Sequence, residues 1–129
     1  MSHFTTIRTR VVEASHLQKA LVDLGYTVQH GPITVNGYQG NTTKADLKIA
    51  TASKGYDIGF RRTNSNDGYE LVADWWGIRG IEQKDFVRQL HQRYAYHAAQ
   101  EALIAEGFSL VEEGQQQDGT LHLVLRRSI

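Results

Sequence analysis

One pattern occurs twice in the chain, and it limits the available folds more than any other feature. Residues 20–28 and residues 102–110 both read Ala-Leu-aliphatic, then two further residues, then Gly-aromatic-hydroxyl-aliphatic. Apolar residues at helical spacing precede each copy, so the glycine predicts a left-handed helix stop and the residues after it predict the start of a strand. Two helices that each turn back into a strand indicate an α+β domain.

Alternating apolar and polar residues predict further strands. We predict strands at residues 4–12, 26–30, 46–51, 56–62, 69–76, 108–112 and 120–127, and helices at 13–24 and 81–106. Residues 31–44 contain the only proline and several Gly and Asn residues, so a loop or irregular hairpin is expected there, with 33–38 extended. A turn containing Asp118-Gly119 should join the last two strands.

These elements predict one domain over residues 1–129, since 129 residues can bury a single core without disulfides or metal. The expected architecture is α+β, with two helices packed on one face of a mostly antiparallel sheet. The two related strand-helix-strand-strand halves have two explanations. They arose by duplication, or the same helix-to-strand turn was reached twice by convergence.

The composition excludes several classes of function. The charges of fourteen basic and fourteen acidic residues cancel. The chain therefore lacks the net positive charge that usually accompanies broad binding to nucleic acid. There are no cysteines, which excludes disulfides, thiolate metal sites and a cysteine nucleophile. Neither a signal-peptide core nor a membrane span is apparent, so we expect a cytoplasmic or plastid-stromal protein.

Two polar residues interrupt the apolar face predicted for the long helix. That face comprises Phe86, Val87, Leu90, Tyr94, Ala98 and Ile104. His97 and Glu101 lie inside it, and their i,i+4 spacing lets imidazole and carboxylate touch. A buried pair of this kind can form a general base or part of a binding site, or it can be a satisfied structural contact.

The most unusual composition lies at residues 74–80, where two tryptophans are adjacent. If Trp75 faces the helices, Asp74 and Trp76 face the opposite side of the sheet. The parities of Arg8, Arg10, Asp57, Arg61, His122 and Arg126 fit that same outer face. We therefore predict a partner-binding face formed by Trp76, Asp74, Arg79, Arg61 and Arg10, since aromatic residues and arginine are enriched at interface hot spots. The alternative is a solvated face on which Trp76 tucks under the next loop.

No motif for a bound cofactor or metal is present. The glycines form neither a dinucleotide-binding fingerprint nor a P-loop, and no nucleophile elbow occurs. Six histidines are scattered along the chain, and His91 and His97 are too far apart in helical phase to clamp a metal ion. We expect no cofactor and no metal.

Several motifs together resemble a known family. They are Met1-Ser2-His3-Phe4, Leu17-x-x-Ala20-Leu21-x-x-Leu24-Gly25-Tyr26, Tyr56-Asp57-Ile58-Gly59-Phe60, Tyr69-Glu70-Leu71-Val72-Ala73-Asp74-Trp75-Trp76 and Gln92-Arg93-Tyr94-Ala95-Tyr96. Over nearly the whole chain they resemble the family called hypothetical chloroplast reading frame thirty-five, found in algal plastids and cyanobacteria. The resemblance implies a stromal or cyanobacterial cytosolic location and a link to phototrophic cells. It carries over no catalytic residues, because the family is itself a domain of unknown function.

Three functions follow as expectations. The first is a non-enzymatic factor for assembly or regulation that binds an unidentified protein partner through the face around Trp76. The second is a ligand-binding or catalytic protein that uses His97 and Glu101 in a pocket between helix and sheet. The third is an RNA-binding domain whose aromatic residues stack bases on an open sheet face, which the neutral charge opposes.

Overall fold

Five strands form one antiparallel sheet, and a separate hairpin lies beside the second helix. The computed structural model describes residues 3–115 and 120–127. In chain order its elements are β1 (Thr5–Arg8), α1 (Ala14–Asp23), β2 (Val28–Asn36), β3 (Thr42–Ala50), β4 (Asp57–Arg61), β5 (Glu70–Ala73), α2 (Gln83–Ala105), β6 (Phe108–Gln115) and β7 (Leu121–Arg127). The sheet order is β1-β5-β4-β3-β2, and β6 pairs with β7.

Both helices pack on one face of this sheet, which confirms the predicted α+β architecture. The core includes Leu17, Ala20 and Leu21 from α1, Phe86 and Leu90 from α2, and Leu47, Ile49, Ile58, Phe60, Leu71 and Ala73 from the sheet. The side chains on β4 and β5 alternate as the sequence predicts, because successive residues of a strand point to opposite faces. Burying this apolar surface provides the main stabilisation of the fold.

The repeated sequence pattern ends both helices in the same way. Gly25 and Gly107 adopt φ values of 93° and 94°. Their N–H groups donate to the carbonyls of Val22 and Ile104 at 2.9 and 3.0 Å. The strands that follow differ, since β2 lies at one edge of the five-stranded sheet while β6 belongs to the separate hairpin. The similarity of the two halves is therefore a similarity of turns, not of sheets.

The β2–β3 hairpin is longer than predicted and bends over the sheet. Of the loop and the irregular hairpin predicted for residues 31–44, the structure has the hairpin: β2 and β3 include most of this segment, and only residues 37–41 connect them. The pairing register shifts between His30 and Ile33. Beyond that shift, the distal part of the hairpin, residues 33–45, lies across the face opposite the helices. We call residues 33–45 the hairpin arm and this face of the sheet the outer face.

A small second core forms where the hairpin arm covers the outer face. Val35 and Ala45 of the arm pack with Val72 of β5, and Phe4 lies against them. Gly59 makes this approach possible, because a Cβ atom there would lie 2.4 Å from Val35 Cγ2. The strand that contains Val35 is not a sheet neighbour of β4, so the contact runs across the face. The outer face is thus largely covered.

Other element boundaries also differ from the prediction. Strand β1 ends at Arg8, and the two tryptophans lie in a 3₁₀ turn, Trp75–Gly77, after β5. On α2, Ile104 is 53% exposed, whereas Tyr96 is buried. The predicted apolar face misses Tyr96 because β6 packs against a second side of the helix through Glu113. The last two strands form the expected hairpin, and its Asp118-Gly119 turn lies outside the described residues.

Replacing Gly59 with alanine tests the covered outer face. The added Cβ would collide with Val35, so Gly59→Ala should lower the free energy of unfolding by about 1–3 kcal/mol. Urea denaturation followed by circular dichroism measures the change. The matched control is Gly114→Ala in β6, where a Cβ meets nothing within 4 Å. Equal stability of the two variants would show that the arm does not lie on Gly59.

Candidate functional site

The most exposed aromatic side chain stands at the end of β5. Trp76 is 67% exposed, whereas the preceding Trp75 packs against the helix-side core. The Trp76 ring meets the Tyr38 ring edge-on, with centroids 5.1 Å apart and an interplanar angle of 79°. The two tryptophans therefore point to opposite sides, as the alternation predicts, and Trp76 does not tuck under the following loop.

The backbone that carries Trp76 is fixed by close packing. Gly77 lies against the Tyr56 ring, and a Cβ at Gly77 would be 1.9 Å from a ring carbon. Two residues later, the N–H of Arg79 donates to Ser53 Oγ at 2.8 Å, and the Arg79 side chain is exposed. The exposed tryptophan and arginine are thus presented from an ordered turn.

Asp74 positions the hairpin arm beneath this surface. Its side chain is only 2% exposed, and Oδ2 accepts a hydrogen bond from the Tyr38 N–H at 3.0 Å. Gly37 packs against the Asp74 Cβ. Oδ1 is buried and has no hydrogen-bond partner among the described residues. Because it is buried, Asp74 orients Tyr38 and does not face a partner, which corrects the prediction for this residue.

Asp57 and Arg61 hold the arm from the outer face. Asp57 Oδ2 accepts hydrogen bonds from the N–H and the Nδ2 of Asn36, both at 2.8 Å, and forms an ion pair with Lys48 at 3.0 Å. Arg61 donates to Thr43 Oγ1 of the arm at 3.1 Å. It also donates to Thr6 of β1 and pairs with Glu70 at 3.7 Å. The predicted contact residue Arg61 is therefore engaged within the fold.

The other predicted members of the outer face lie elsewhere. Arg10 follows the end of β1, and its N–H donates to His91 Nε2 of α2 at 3.4 Å, so it lies on the helix side. His122 and Arg126 belong to β7 in the separate hairpin. Parity failed for Arg10 because β1 ends at Arg8, and for His122 and Arg126 because β7 belongs to a separate sheet. Of the five predicted contact residues, the structure leaves Trp76 and Arg79 exposed at the same turn.

His97 and Glu101 do not form the buried pair that their spacing predicted. His97 Nε2 lies 2.5 Å from Asp23 Oδ2, and Glu101 Oε2 lies 2.6 Å from His16 Nε2. Both partners come from α1. The Glu101 side chain is 71% exposed, whereas that of His16 is 6% exposed. His97 and Glu101 therefore each contact a residue of α1 instead of each other.

Asp23 is the centre of this interhelical network. Besides His97, it accepts hydrogen bonds from Arg93 Nη2 and Nε at 2.7 and 3.0 Å. Partial burial works to raise the Asp23 pKa, but hydrogen bonds and charges from Arg93 and His97 outweigh burial and hold the pKa below its ordinary value. Arg93 also pairs with Glu113 at 3.1 Å, and Glu113 accepts from the Tyr96 hydroxyl at 3.0 Å. The network joins α1, α2 and β6.

Tyr94 forms a second tie between the helices. No side-chain hydrogen bond caps α1 at Glu13, the residue that precedes the helix. The Tyr94 hydroxyl accepts hydrogen bonds from the N–H groups of Val12 and Glu13, both at 3.1 Å. Of these two groups, only the Glu13 N–H is among the four that a helix N-terminus leaves unpaired. Tyr94 therefore fixes, from α2, the segment of chain that enters α1.

The chemistry available near His97 is limited. A cavity of about 260 Å³ is lined by Lys19, His97, Gln100, Glu101 and Ile104. A carboxylate that orients an imidazole is the arrangement of a general base. Here, however, Asp23 is shared with Arg93, as expected of a structural ion pair. Among residues 3–115 and 120–127, no group of His, Asp and Glu could hold a metal ion.

Sequence reasoning missed Tyr38 and the partners of His97. Tyr38 lies in a segment rich in Gly and Asn, for which the composition indicated a loop or an irregular hairpin but no contact with Trp76. Asp23 and Arg93 lie on separate helices, and nothing in their spacing predicts the contact. The i,i+4 spacing of His97 and Glu101 identified two polar residues that make side-chain contacts, but it indicated the wrong partner for each of them.

Comparison with known proteins identifies the family. Residues 20–124 match the family model described as "Protein of unknown function (DUF1257)". The protein named "Uncharacterized protein ycf35" from Cyanophora paradoxa is 33% identical over 129 residues, which covers 98% of each chain. The proteins of the same name from Pyropia yezoensis and Guillardia theta are each 33% identical over 130 residues, again with 98% of each chain covered.

The chain belongs to the DUF1257, or ycf35, family. This confirms the resemblance seen in the sequence motifs. The three ycf35 relatives come from plastid genomes. No solved structure matches the chain. In the described residues, no helix is long and apolar enough to cross a membrane.

The Asp23 network predicts a pH-dependent stability. The folded pKa of Asp23 lies below its ordinary value of 3.8, so its stabilisation is complete above that value and is lost as pH falls through the lower folded pKa. At pH 7, Asp23→Asn should lower the free energy of unfolding by about 1–2 kcal/mol, since hydrogen bonds to charged groups are lost. Urea denaturation from pH 7 to pH 2 should show this difference closing in acid.

The control for this measurement is Asp67→Asn, in an exposed turn. Its stability should follow that of the wild-type protein at every pH. A difference for Asp23→Asn that persists unchanged to pH 2 would contradict the ionic role of Asp23.

Proposed function

We propose that this ycf35-family protein is a non-enzymatic assembly or regulatory factor that binds a protein partner through a tip surface. The tip surface comprises Tyr38, Trp76 and Arg79. The observation that carries the proposal is the 67% exposure of Trp76 on a turn that is fixed from below. Exposing a tryptophan to water is unfavourable, and partner binding would bury it.

The order of the tip surface supports a binding role. Side chains that are already positioned lose less conformational entropy on association. Trp76 is held by its contact with Tyr38, which Asp74 orients through the Tyr38 backbone. The N–H of Arg79 donates to Ser53, in the loop that also contains Lys54. The side chains of Arg79 and Lys54 are both exposed cations. The matching partner segment presents an apolar or aromatic side chain flanked by carboxylates.

The cellular setting is part of the same proposal. The family membership and the plastid-genome relatives support a role in phototrophic cells, in the plastid stroma or the cyanobacterial cytosol.

RNA binding is the weaker proposal. An RNA-binding sheet stacks bases on an open face. Here the arm covers the centre of the outer face, where Val35 meets Gly59. The net charge of zero gives no general attraction to phosphate.

A catalytic or ligand-binding role for His97 and Glu101 is the second candidate. It is favoured by the 2.5 Å contact between Asp23 and His97 beside a cavity. The His97→Ala variant tests it. If the role is catalytic or ligand-binding, a metabolite that raises the thermal midpoint of the wild-type protein should give no shift with this variant. A shift that persists in His97→Ala argues against this candidate.

The binding proposal is tested by photo-crosslinking in native cells. A photoreactive phenylalanine analogue at position 76 should form a discrete adduct with one protein. The same analogue at position 22 is the control, because Val22 is 60% exposed but lies on α1. Recovery of the adduct partner by affinity capture should fall at least tenfold for Trp76→Ala, as for the loss of a hot-spot tryptophan.

Two measurements separate binding from folding. The thermal midpoints of Trp76→Ala and Val22→Ala should remain close to that of the wild-type protein, because both side chains are mostly exposed. Identical adducts from positions 76 and 22, or undiminished recovery of the adduct partner by Trp76→Ala, would overturn the proposal.

A further inference from the structure

A second cavity lies at the opposite end of the sheet from Trp76. It has a volume of about 450 Å³ and is lined by Arg8, Arg10, His91, Tyr94 and Ala95. Arg8 pairs in register with Glu70 at the start of β5, whereas Trp76 follows the end of that strand. The cavity therefore does not belong to the tip surface. Its volume lies within the range of small-molecule sites, about 300–1,000 Å³.

Two arginine side chains supply the positive charge of this cavity. Arg8 and Arg10 are both exposed, and neither forms an ion pair with any residue in the described ranges. Glu70, which faces Arg8 across the strands, is paired with Arg61. A guanidinium group offers a planar set of N–H donors that matches carboxylate and phosphate oxygens. These donors remain available to an anion.

The Tyr94 hydroxyl adds a third donor. Its oxygen accepts from the N–H groups of Val12 and Glu13. A phenol also carries one proton of its own to donate. No described group accepts that proton, so it is available to a ligand in the cavity that Tyr94 lines.

His91 contributes an uncharged wall. Its Nε2 accepts the N–H of Arg10, which requires the lone pair of that nitrogen and therefore a neutral ring. Burial and the neighbouring charge of Arg10 lower the His91 pKa, which favours the same neutral form. The Tyr94 ring and Ala95 complete a wall of low polarity beside the two cations.

We propose that this cavity binds a small organic anion. Arg8 and Arg10 hold its carboxylate or phosphate group, the Tyr94 hydroxyl donates to the same group, and the Tyr94 ring and Ala95 pack against its apolar body. The combination of unpaired guanidinium groups with an aromatic wall selects for this class. An inorganic anion would contact only the two arginines, and an uncharged aromatic compound would contact only the Tyr94 ring and Ala95.

Titration of the ¹⁵N-labelled protein by NMR tests the proposal. The probes are phenyl phosphate and phenylacetate, which distinguish phosphate from carboxylate, with inorganic phosphate and phenol as controls. At least one organic anion should cause saturable shifts at residues 10, 91 and 95. The dissociation constant should rise about tenfold or more in the double variant Arg8→Gln/Arg10→Gln, as for lost hydrogen bonds to charged groups.

The matched control is Arg88→Gln, an arginine of α2 whose side chain is 57% exposed. It should bind the organic anion as the wild-type protein does. The proposal is overturned if neither organic anion shifts residues 10, 91 and 95, if the double variant binds unchanged, or if Arg88→Gln weakens binding equally. Equal affinity for inorganic phosphate, or for phenol, overturns the claim that charge and apolar wall act together. Trp76→Ala should leave the titration unchanged, which separates this site from the tip surface.

Discussion

The carboxylate of Asp57 holds the distal β2–β3 hairpin against the sheet, and much of the molecule depends on that contact. By accepting from Asn36 and pairing with Lys48, it anchors the arm at the point where Val35 meets Gly59. The anchored arm brings Tyr38 to Asp74, and Tyr38 in turn supports Trp76. A buried charge is costly unless it is paired and hydrogen-bonded, and Asp57 is both.

The sequence was informative wherever one local rule decides the structure. The glycine stops at Gly25 and Gly107 and the existence of the long helix α2 follow from period and backbone conformation alone. An irregular hairpin with residues 33–38 extended was one of the two predictions for residues 31–44, but Gly, Asn and Pro are also strong loop signals, and the contacts that place residues 33–45 across the sheet come from β4 and β5. Local composition contains no information about those contacts.

The candidate site was predicted less well than the fold, and for a related reason. Strand parity placed Arg10 and Arg61 with Trp76, but β1 ends too early for Arg10, and Arg61 is occupied by Thr43 and Glu70. Helical spacing paired His97 with Glu101, yet α1 offers each of them a better partner. In both cases the pattern identified a polar residue correctly, and a distant element decided its contacts.

The hydrogen bonds that Tyr94 accepts from the chain just before α1 have a consequence for the order of folding. The two hydrogen bonds span 82 and 81 residues of sequence, so they close a loop that includes most of the sheet. Contacts of such long range form late, because the entropy of loop closure is lost before they stabilise the chain. The segment that enters α1 therefore takes its final position only after α2 has docked.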